Sequence, residues 1–156
     1  MKTIRYGGTL AALVAGALLA SCGMMEKSSS GSSYGSAPAP AGDLRLTLSG
    51  SEEVPPSGSS ASGTGTVVVA ADCSVTANIS VTGMTATAAH IHQGAAGTNG
   101  GVIVPFTKTM DNTFIAPAGA KMTAEQCAAY KAGNTYVNVH SAAKPGGEVR
   151  AQLKGK

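Results

Sequence analysis

Charged and aromatic side chains are scarce in this sequence of 156 residues. Asp, Glu, Lys and Arg together make up 12% of it, aromatic residues 4%, and tryptophan does not occur. The formal net charge is +3, and basic residues do not cluster into a run. Nucleic-acid binding depends on clustered basic residues that contact phosphates, so we predict no nucleic-acid partner.

Groups typical of catalysis are also few. We find no pair of carboxylates and no free cysteine in an arrangement that indicates hydrolysis. The glycine-rich stretch over residues 94–101 does not open a helix, so a phosphate-binding loop is not expected there. The sequence therefore favours a protein without catalysis.

The N-terminal segment has the organisation of a bacterial lipoprotein signal. Lys2 and Arg5 form a basic start, an uncharged apolar run covers residues 9–20, and small residues lead into Cys22. The run is short for a membrane span, and small residues before a cysteine are typical of lipoprotein cleavage sites. We expect a signal peptide over residues 1–21 and a lipid on Cys22. An ordinary secretory signal with a chance cysteine is the alternative.

The segment after Cys22 predicts a tether. Residues 23–42 are mostly Ser, Gly, Ala and Pro without an apolar period, and such a segment cannot bury enough surface to fold. We expect the lipidated cysteine and its tether over 22–42, and one folded domain over 43–156. The membrane would be a partner through the lipid, and the location the cell envelope. Because Gly23 rather than Asp follows the cysteine, the outer membrane is expected in a Gram-negative cell.

The two other cysteines, Cys73 and Cys127, are predicted to form a disulfide. Two thiols in an oxidising compartment most simply pair with each other. The bond would close a loop of about 54 residues, which corresponds to roughly 3 to 4.5 kcal/mol in the chain-entropy model. Reduced, buried cysteines are the alternative.

Short β-strands account for most of the predicted domain. Leu44, Leu46 and Leu48 alternate with polar residues, the period of a half-buried strand. One helix is predicted after Thr123, since Thr123 and Gln126 complete a capping box. Further strands are expected from alternation or β-branched composition at 64–72, 73–83, 84–94, 102–104, 112–117, 135–141 and 147–153. The predicted fold class is all-β: an antiparallel β-sandwich or flattened barrel with one short helix crossover.

The three histidines of the chain form a candidate metal site. The period of a strand places His90 and His92 on one face, and His140 lies in a similar strand on the face opposite Val137 and Val139. If these strands are neighbours, three neutral nitrogens can meet with a fourth position open, which suits copper or zinc. The alternatives are exposed histidines, or histidines that hydrogen-bond the glycine-rich loop and nearby acids.

Polar residues on the same strands are candidates for orienting the ligands. Asn138 shares the face of His140, and Glu148 and Arg150 share one face of the last strand. A carboxylate at Glu148 would suit a hydrogen bond to a metal-binding histidine. A solvated ion pair, or a structural link within the sheet, is the alternative for Glu148 and Arg150.

Four segments resemble the CHRD domain, which is named after its repeats in chordin and is also found singly in bacterial exported proteins. They are EVPP, AAHIHQGAAGTNGGVIV, MTAEQCAAYKAGN and YVNVHSAAKPGGEVRAQL, in that order. The resemblance covers about residues 44–153, and Ser141 departs from it where threonine is usual. By this resemblance, the motif positions are His90, His92, Asn138, His140, Gly147, Glu148 and Arg150.

The resemblance also implies an immunoglobulin-like barrel that is distantly similar to copper–zinc superoxide dismutase. That enzyme holds copper with a His-x-His pair, a histidine from a late strand and a fourth histidine that bridges to zinc. This chain has three histidines in total, so the resemblance supports a copper-only site and excludes a two-metal centre. Arg150 is the candidate counterpart of the dismutase's electrostatic arginine.

The sequence thus predicts a lipid-anchored CHRD domain of the cell envelope that binds one copper or zinc ion. His90, His92 and His140 are the expected ligands. A metal-free module that binds a protein or matrix partner is the first alternative. A copper-only enzyme of the dismutase type is the second.

Overall fold

The computed structural model describes residues 44–155. The predicted signal peptide, Cys22 and the tether lie outside the described residues. Between Leu44 and Gly155, no helix is long and apolar enough to cross a membrane.

The described chain forms nine strands and one α-helix. After β1, a single 3-10 turn covers Gly50–Glu52. The elements are β1 Leu44–Ser49, β2 Ser62–Val69, β3 Val75–Thr82, β4 Ala86–Gln93, β5 Val102–Pro105, β6 Thr107–Met110, β7 Thr113–Ile115, α1 Ala124–Lys131, β8 Thr135–Ser141 and β9 Val149–Leu153.

All the strands belong to one antiparallel sheet in the order β5-β4-β8-β9-β1-β2-β3-β7-β6. The two outer strands, β5 and β6, are separated by Phe106 alone, whose amide donates to the Ala89 carbonyl of β4 at 3.0 Å. One bent segment therefore pairs with β4 through its first half and with β7 through its second half. This segment closes the sheet into a flattened barrel and confirms the predicted all-β class.

The strand β6 was not predicted from the sequence. All four of its residues are exposed, so neither alternation nor an apolar run marks it. Lys108 of this strand donates to the Ala86 carbonyl at 2.9 Å. The Asn112 side chain, in the turn that follows, accepts from the Ala86 amide and donates to the Met84 carbonyl. Polar side chains thus bridge the seam of the barrel in place of a regular ladder.

The core of the barrel lies on the inward face that the apolar alternation predicts. In β3, inward and outward residues alternate without exception. Large side chains from six strands and from β7 fill the interior, which excludes water from their surfaces. The most deeply buried are Leu48, Val67, Ile79, Ile91, Phe114, Val137, Val139, Val149 and Leu153.

The helix α1 crosses from β7 to β8 and is fastened to the sheet by the disulfide. Thr123 accepts from the Gln126 amide while the Gln126 side chain accepts from the Thr123 amide, as the predicted capping box requires. Gly133 ends the helix with a φ of 76°, a conformation that favours glycine. Cys127 of the helix is bonded to Cys73 in the turn after β2, which confirms the predicted disulfide.

Loss of the disulfide should lower the free energy of unfolding. The bond joins residues 54 apart, and in the chain-entropy model its removal costs about 4 kcal/mol because the unfolded chain gains freedom. We expect the double variant Cys73→Ala, Cys127→Ala to unfold at a lower urea concentration than the parent. Reductant should lower the stability of the parent and leave that of the variant unchanged. A parent that is insensitive to reductant would contradict the prediction.

Candidate metal centre

The three histidines come together because β4 and β8 are direct neighbours. In the antiparallel register, His90 is paired with Asn138 and His92 with Tyr136. His140 lies two residues beyond Asn138, on the same face of β8, and so stands diagonally across from His90. The sequence analysis required these two histidine-bearing strands to be neighbours, and the structure confirms that they are.

The imidazole rings are close enough to share one ion. His90 Nδ1 lies 3.0 Å from His140 Nε2. The ring centre of His92 lies 5.5 Å from that of His90 and 6.0 Å from that of His140. One ring nitrogen from each histidine can be chosen so that all three lie within 4.8 Å of one another.

Two backbone carbonyls fix which nitrogens face the centre. His92 Nδ1 donates to the Gly100 carbonyl and His140 Nδ1 donates to the Pro145 carbonyl, both at 2.9 Å. The Nε2 atoms of His92 and His140 therefore carry lone pairs. The Nε2 of His92 is buried and has no hydrogen-bond partner among residues 44–155. His90 Nδ1 faces His140 Nε2, and Nε2 is the nitrogen that His92 has left for the shared point, because its Nδ1 is bonded to Gly100.

Burial favours the neutral form of His90 and His140. The pKa of His90 is lowered to about 4, mainly by burial and also by the nearby His140 and His92. The pKa of His140 is also lowered by burial, although its hydrogen bond to Pro145 acts in the opposite direction. Neutral imidazole is the form that binds metal ions.

A column of stacked groups supports His92. Its ring lies parallel to that of Tyr136, with the centres 4.9 Å apart and 9° between the planes. The guanidinium carbon of Arg150 lies 3.4 Å from the centre of the Tyr136 ring on β8. The predicted candidate Arg150 is thus connected to the histidines through Tyr136. The sequence placed Tyr136 on this face but gave no reason to assign it a role.

The two other candidates for orienting residues have different surroundings. Glu148 is buried and accepts from the Ser59 hydroxyl at 2.7 Å, and it is not paired with Arg150. Asn138 is buried between the histidines and Gly147, and its Oδ1 has no partner within the described chain. A side chain at Gly147 would collide with Asn138 and Glu53, which explains the need for glycine there.

Glu53, in the EVPP segment, was not among the predicted site residues. It is only 5% exposed, and its Oε1 has no hydrogen-bond partner in residues 44–155. Burial raises its pKa to about 7, while the Arg150 charge and the Asn138 side chain act in the opposite direction. An acid separated by one residue from two prolines is typical of an exposed turn, so the burial of Glu53 is apparent only from the tertiary structure.

The site belongs to a small all-β domain in which two adjacent strands bring three imidazoles together beside a buried arginine. Residues 44–153 match the family model of the CHRD domain, so the chain belongs to that family and the predicted resemblance is confirmed. Neither the curated proteins nor the solved structures contain a match to this chain. The likeness to copper–zinc superoxide dismutase stays a prediction.

Replacing Glu53 by glutamine should stabilise the protein at high pH. The folded-state pKa of about 7 is above the ordinary glutamate value of 4.5, so the stability lost to ionisation grows between pH 4.5 and 7 and is complete above that range. We expect Glu53→Gln to exceed the parent by about 1 to 3 kcal/mol at pH 8 and to approach it at pH 4.

Urea unfolding at the two pH values measures this difference. The matched control is Glu52→Gln, which removes the same charge from an exposed neighbour. Its stability should follow that of the parent at both pH values. A Glu53→Gln variant whose advantage does not change with pH would show that the ionisation of Glu53 is not coupled to folding.

Proposed function

We propose that this domain binds one copper or zinc ion through His90, His92 and His140. The observation that carries the proposal is the convergence of three ring nitrogens, one of them the buried Nε2 of His92 without a partner. Buried polar atoms are nearly always hydrogen-bonded, so an unpaired buried nitrogen such as His92 Nε2 is unusual and indicates a missing partner. A metal ion would use the lone pair that the protein leaves unpaired.

The geometry and the chemistry of the cluster fit such an ion. Two nitrogens bound to one ion at roughly 2.0 to 2.1 Å lie about 3 to 3.5 Å apart, and His90 Nδ1 and His140 Nε2 are 3.0 Å apart. Imidazole suits copper and zinc, whereas oxygen ligands suit magnesium and calcium. Three protein ligands leave one position for water or another small ligand.

The protein also prepares the histidines for binding. Carbonyl acceptors on the far nitrogen of metal-binding histidines fix the tautomer and the ring orientation. Gly100 and Pro145 supply such acceptors to His92 and His140. The low pKa of His90 and of His140 means that few protons have to leave when an ion binds near neutral pH.

The proposal includes the place of the protein in the cell. A lipid on Cys22 would hold the domain at the cell envelope, with residues 23–42 as a tether. The order of basic start, apolar run, small residues and cysteine supports this part. A flexible segment of that length would have a root-mean-square span of roughly 25 Å, enough to separate the proposed metal site from the membrane surface.

Metal content of the purified domain tests the site. Residues 43–156 contain the whole sheet, its core and the disulfide, so they form a suitable soluble protein. We expect about one equivalent of copper or zinc after loading and dialysis, and loss of at least tenfold in affinity for the double variant His90→Ala, His92→Ala. Gln93→Ala, next to His92 on β4, is the matched control and should bind like the parent.

The same measurement separates the metal site from a metal-free interaction module. Thermal unfolding establishes first that each variant is folded. Equal metal content in the parent and the double variant would reject the three-histidine site. In that case the short contact between His90 and His140 is a hydrogen bond that orders two strands.

A cysteine replacement tests the lipid anchor. We expect the full chain, expressed in a bacterium, to sediment with membranes and to incorporate a labelled fatty acid. Cys22→Ser should abolish the label and release the protein from the membrane fraction, because the thiol that would carry the lipid is gone. Ser21→Ala, which leaves a small residue before the cysteine, serves as the control. Labelling that persists in Cys22→Ser would contradict the proposal.

A further inference from the structure

We propose that Arg150 acts on the metal site through Tyr136, and that its buried positive charge makes the site bind Cu(I) in preference to Cu(II). Arg150 would be a positioning residue that holds the His92 ring, and the source of a fixed charge that selects the oxidation state. This inference rests on the proposed metal function and deepens it by naming the ion.

The first step is the geometry of the column Arg150–Tyr136–His92. The guanidinium lies 3.4 Å from the centre of the phenol ring, and the phenol and imidazole planes differ by 9°. All three side chains are at least nine-tenths buried. A guanidinium on an aromatic face is attractive, more so when water is excluded, and parallel rings at 4.9 Å are in stacking contact. The column therefore restrains the tilt of His92.

Gly100 restrains the remaining freedom of the ring. Its carbonyl accepts from His92 Nδ1 at 2.9 Å, and its amide donates to the Tyr136 hydroxyl at 3.2 Å. One backbone residue thus holds both rings of the column in register. Rotation of His92 about its own bonds would break one contact or the other, so Nε2 stays turned toward His90 and His140.

Arg150 in turn fixes the loop that carries Gly100. Its guanidinium donates to the Thr98 carbonyl at 2.9 Å and to Asn99 Oδ1 at 3.2 Å. It also donates to the Gln152 side chain at 3.2 Å and lies 3.4 Å from the Ala95 carbonyl. The same arginine therefore holds His92 from two directions, through the stacked phenol and through the loop.

The charge of Arg150 is not cancelled by a carboxylate. Its acceptors are carbonyl and amide oxygens, and within residues 44–155 no Asp or Glu forms an ion pair with it. Glu53 is close enough to interact with this charge, and at pH 6, below its raised pKa of about 7, its carboxyl is mostly protonated and offsets little of it. A buried charge is screened far less than an exposed one.

A fixed positive charge opposes Cu(II) more than Cu(I), because the repulsion grows with the charge of the ion. Imidazole binds metal ions in its uncharged form, and the group of three histidines contains no carboxylate or thiolate that would offset the positive charge. Neighbouring charge and hydrogen bonding tune the potentials of protein-bound metals in this way. The site should therefore bind Cu(I) more tightly than Cu(II).

The experiment measures both copper affinities at pH 6 by competition with chromophoric chelators. The parent should bind Cu(I) more tightly, and Arg150→Gln should lower the ratio of Cu(I) to Cu(II) affinity about tenfold, equal to about 59 mV for one electron. Arg150→Lys keeps the charge and should retain the ratio. The matched control Arg45→Gln removes an exposed arginine of β1 and should leave the ratio unchanged. A parent that prefers Cu(II), or equal ratios in parent and Arg150→Gln, would overturn the charge effect.

A second readout requires no metal. In the metal-free parent, nitrogen-15 NMR should show His92 as a single tautomer with the proton on Nδ1. Both Arg150→Gln and Arg150→Lys should show a mixture of tautomers, because each loses the planar group that stacks on Tyr136. An unchanged tautomer would overturn the positioning role.

The two readouts distinguish the failures. A parent that binds neither copper state rejects the proposed function and the charge effect together, while the tautomers still decide the positioning role. A parent that binds copper with unaltered ratios in the variants rejects the charge effect alone. If Arg150→Gln fails to fold, the test uses the ratio of Cu(I) to Cu(II) affinity in the parent and in Arg150→Lys.

Discussion

The register between β4 and β8 is the constraint on which the site depends. Strand side chains alternate, so a slip of one residue would turn His90 and His92 into the core and Ile91 out of it. Ile91, Val137 and Val139 are fully buried on the opposite face, and their burial selects the observed register. At about 25 cal/mol per Å2 of apolar surface, exposing even one of them costs on the order of 2 kcal/mol. The apolar core therefore holds the imidazoles in place.

The other face of β8 and of its neighbour β9 is unusual because it is buried and polar. Tyr136, Asn138 and Arg150 are almost without exposure, covered by the glycine-rich loop and by the turn before β9. Buried polar groups are costly unless they are hydrogen-bonded. Arg150 is satisfied by the carbonyls of the loop. Within residues 44–155, one buried atom each of Glu53, His92, Thr135 and Asn138 has no hydrogen-bond partner. Two of these atoms, on His92 and on Asn138 opposite His90, lie at the histidine cluster, and unfavourable groups of this kind commonly mark function.

The parts of the structure that follow local rules could be predicted from the sequence. Alternating leucines in β1, the capping box at Thr123 and the two cysteines that remain for a disulfide each depend on few residues. The faces of His90, His92 and His140 also followed from the strand period. Their meeting could not be derived in this way, because strand order is set by the packing of the whole barrel. The family resemblance supplied that expectation, and the pairing of β4 with β8 confirms it.

The residues that the sequence did not reveal are those that act through tertiary contacts. Glu53 lies about forty residues from the nearest histidine, and nothing in EVPP marks its carboxyl as buried. The carbonyls of Gly100 and Pro145 belong to loops whose composition predicts only turns. The strand β6 was not predicted from the sequence because it packs no apolar side chain against the core. This strand joins the two edges of the sheet. That position depends on the path of the chain and cannot be predicted from the composition of the strand.

The unpaired Nε2 of His92 connects the stability of the domain to its proposed ligand. An orphaned buried acceptor costs roughly 1 to 3 kcal/mol in the folded state. An ion that bonds to this atom removes that cost and binds only the folded chain, since the unfolded chain does not hold three imidazoles together. Mass action then stabilises the fold by about 1.4 kcal/mol for every tenfold excess of ion over its dissociation constant. The unpaired nitrogen thus destabilises the metal-free fold, and binding of an ion would remove this destabilisation.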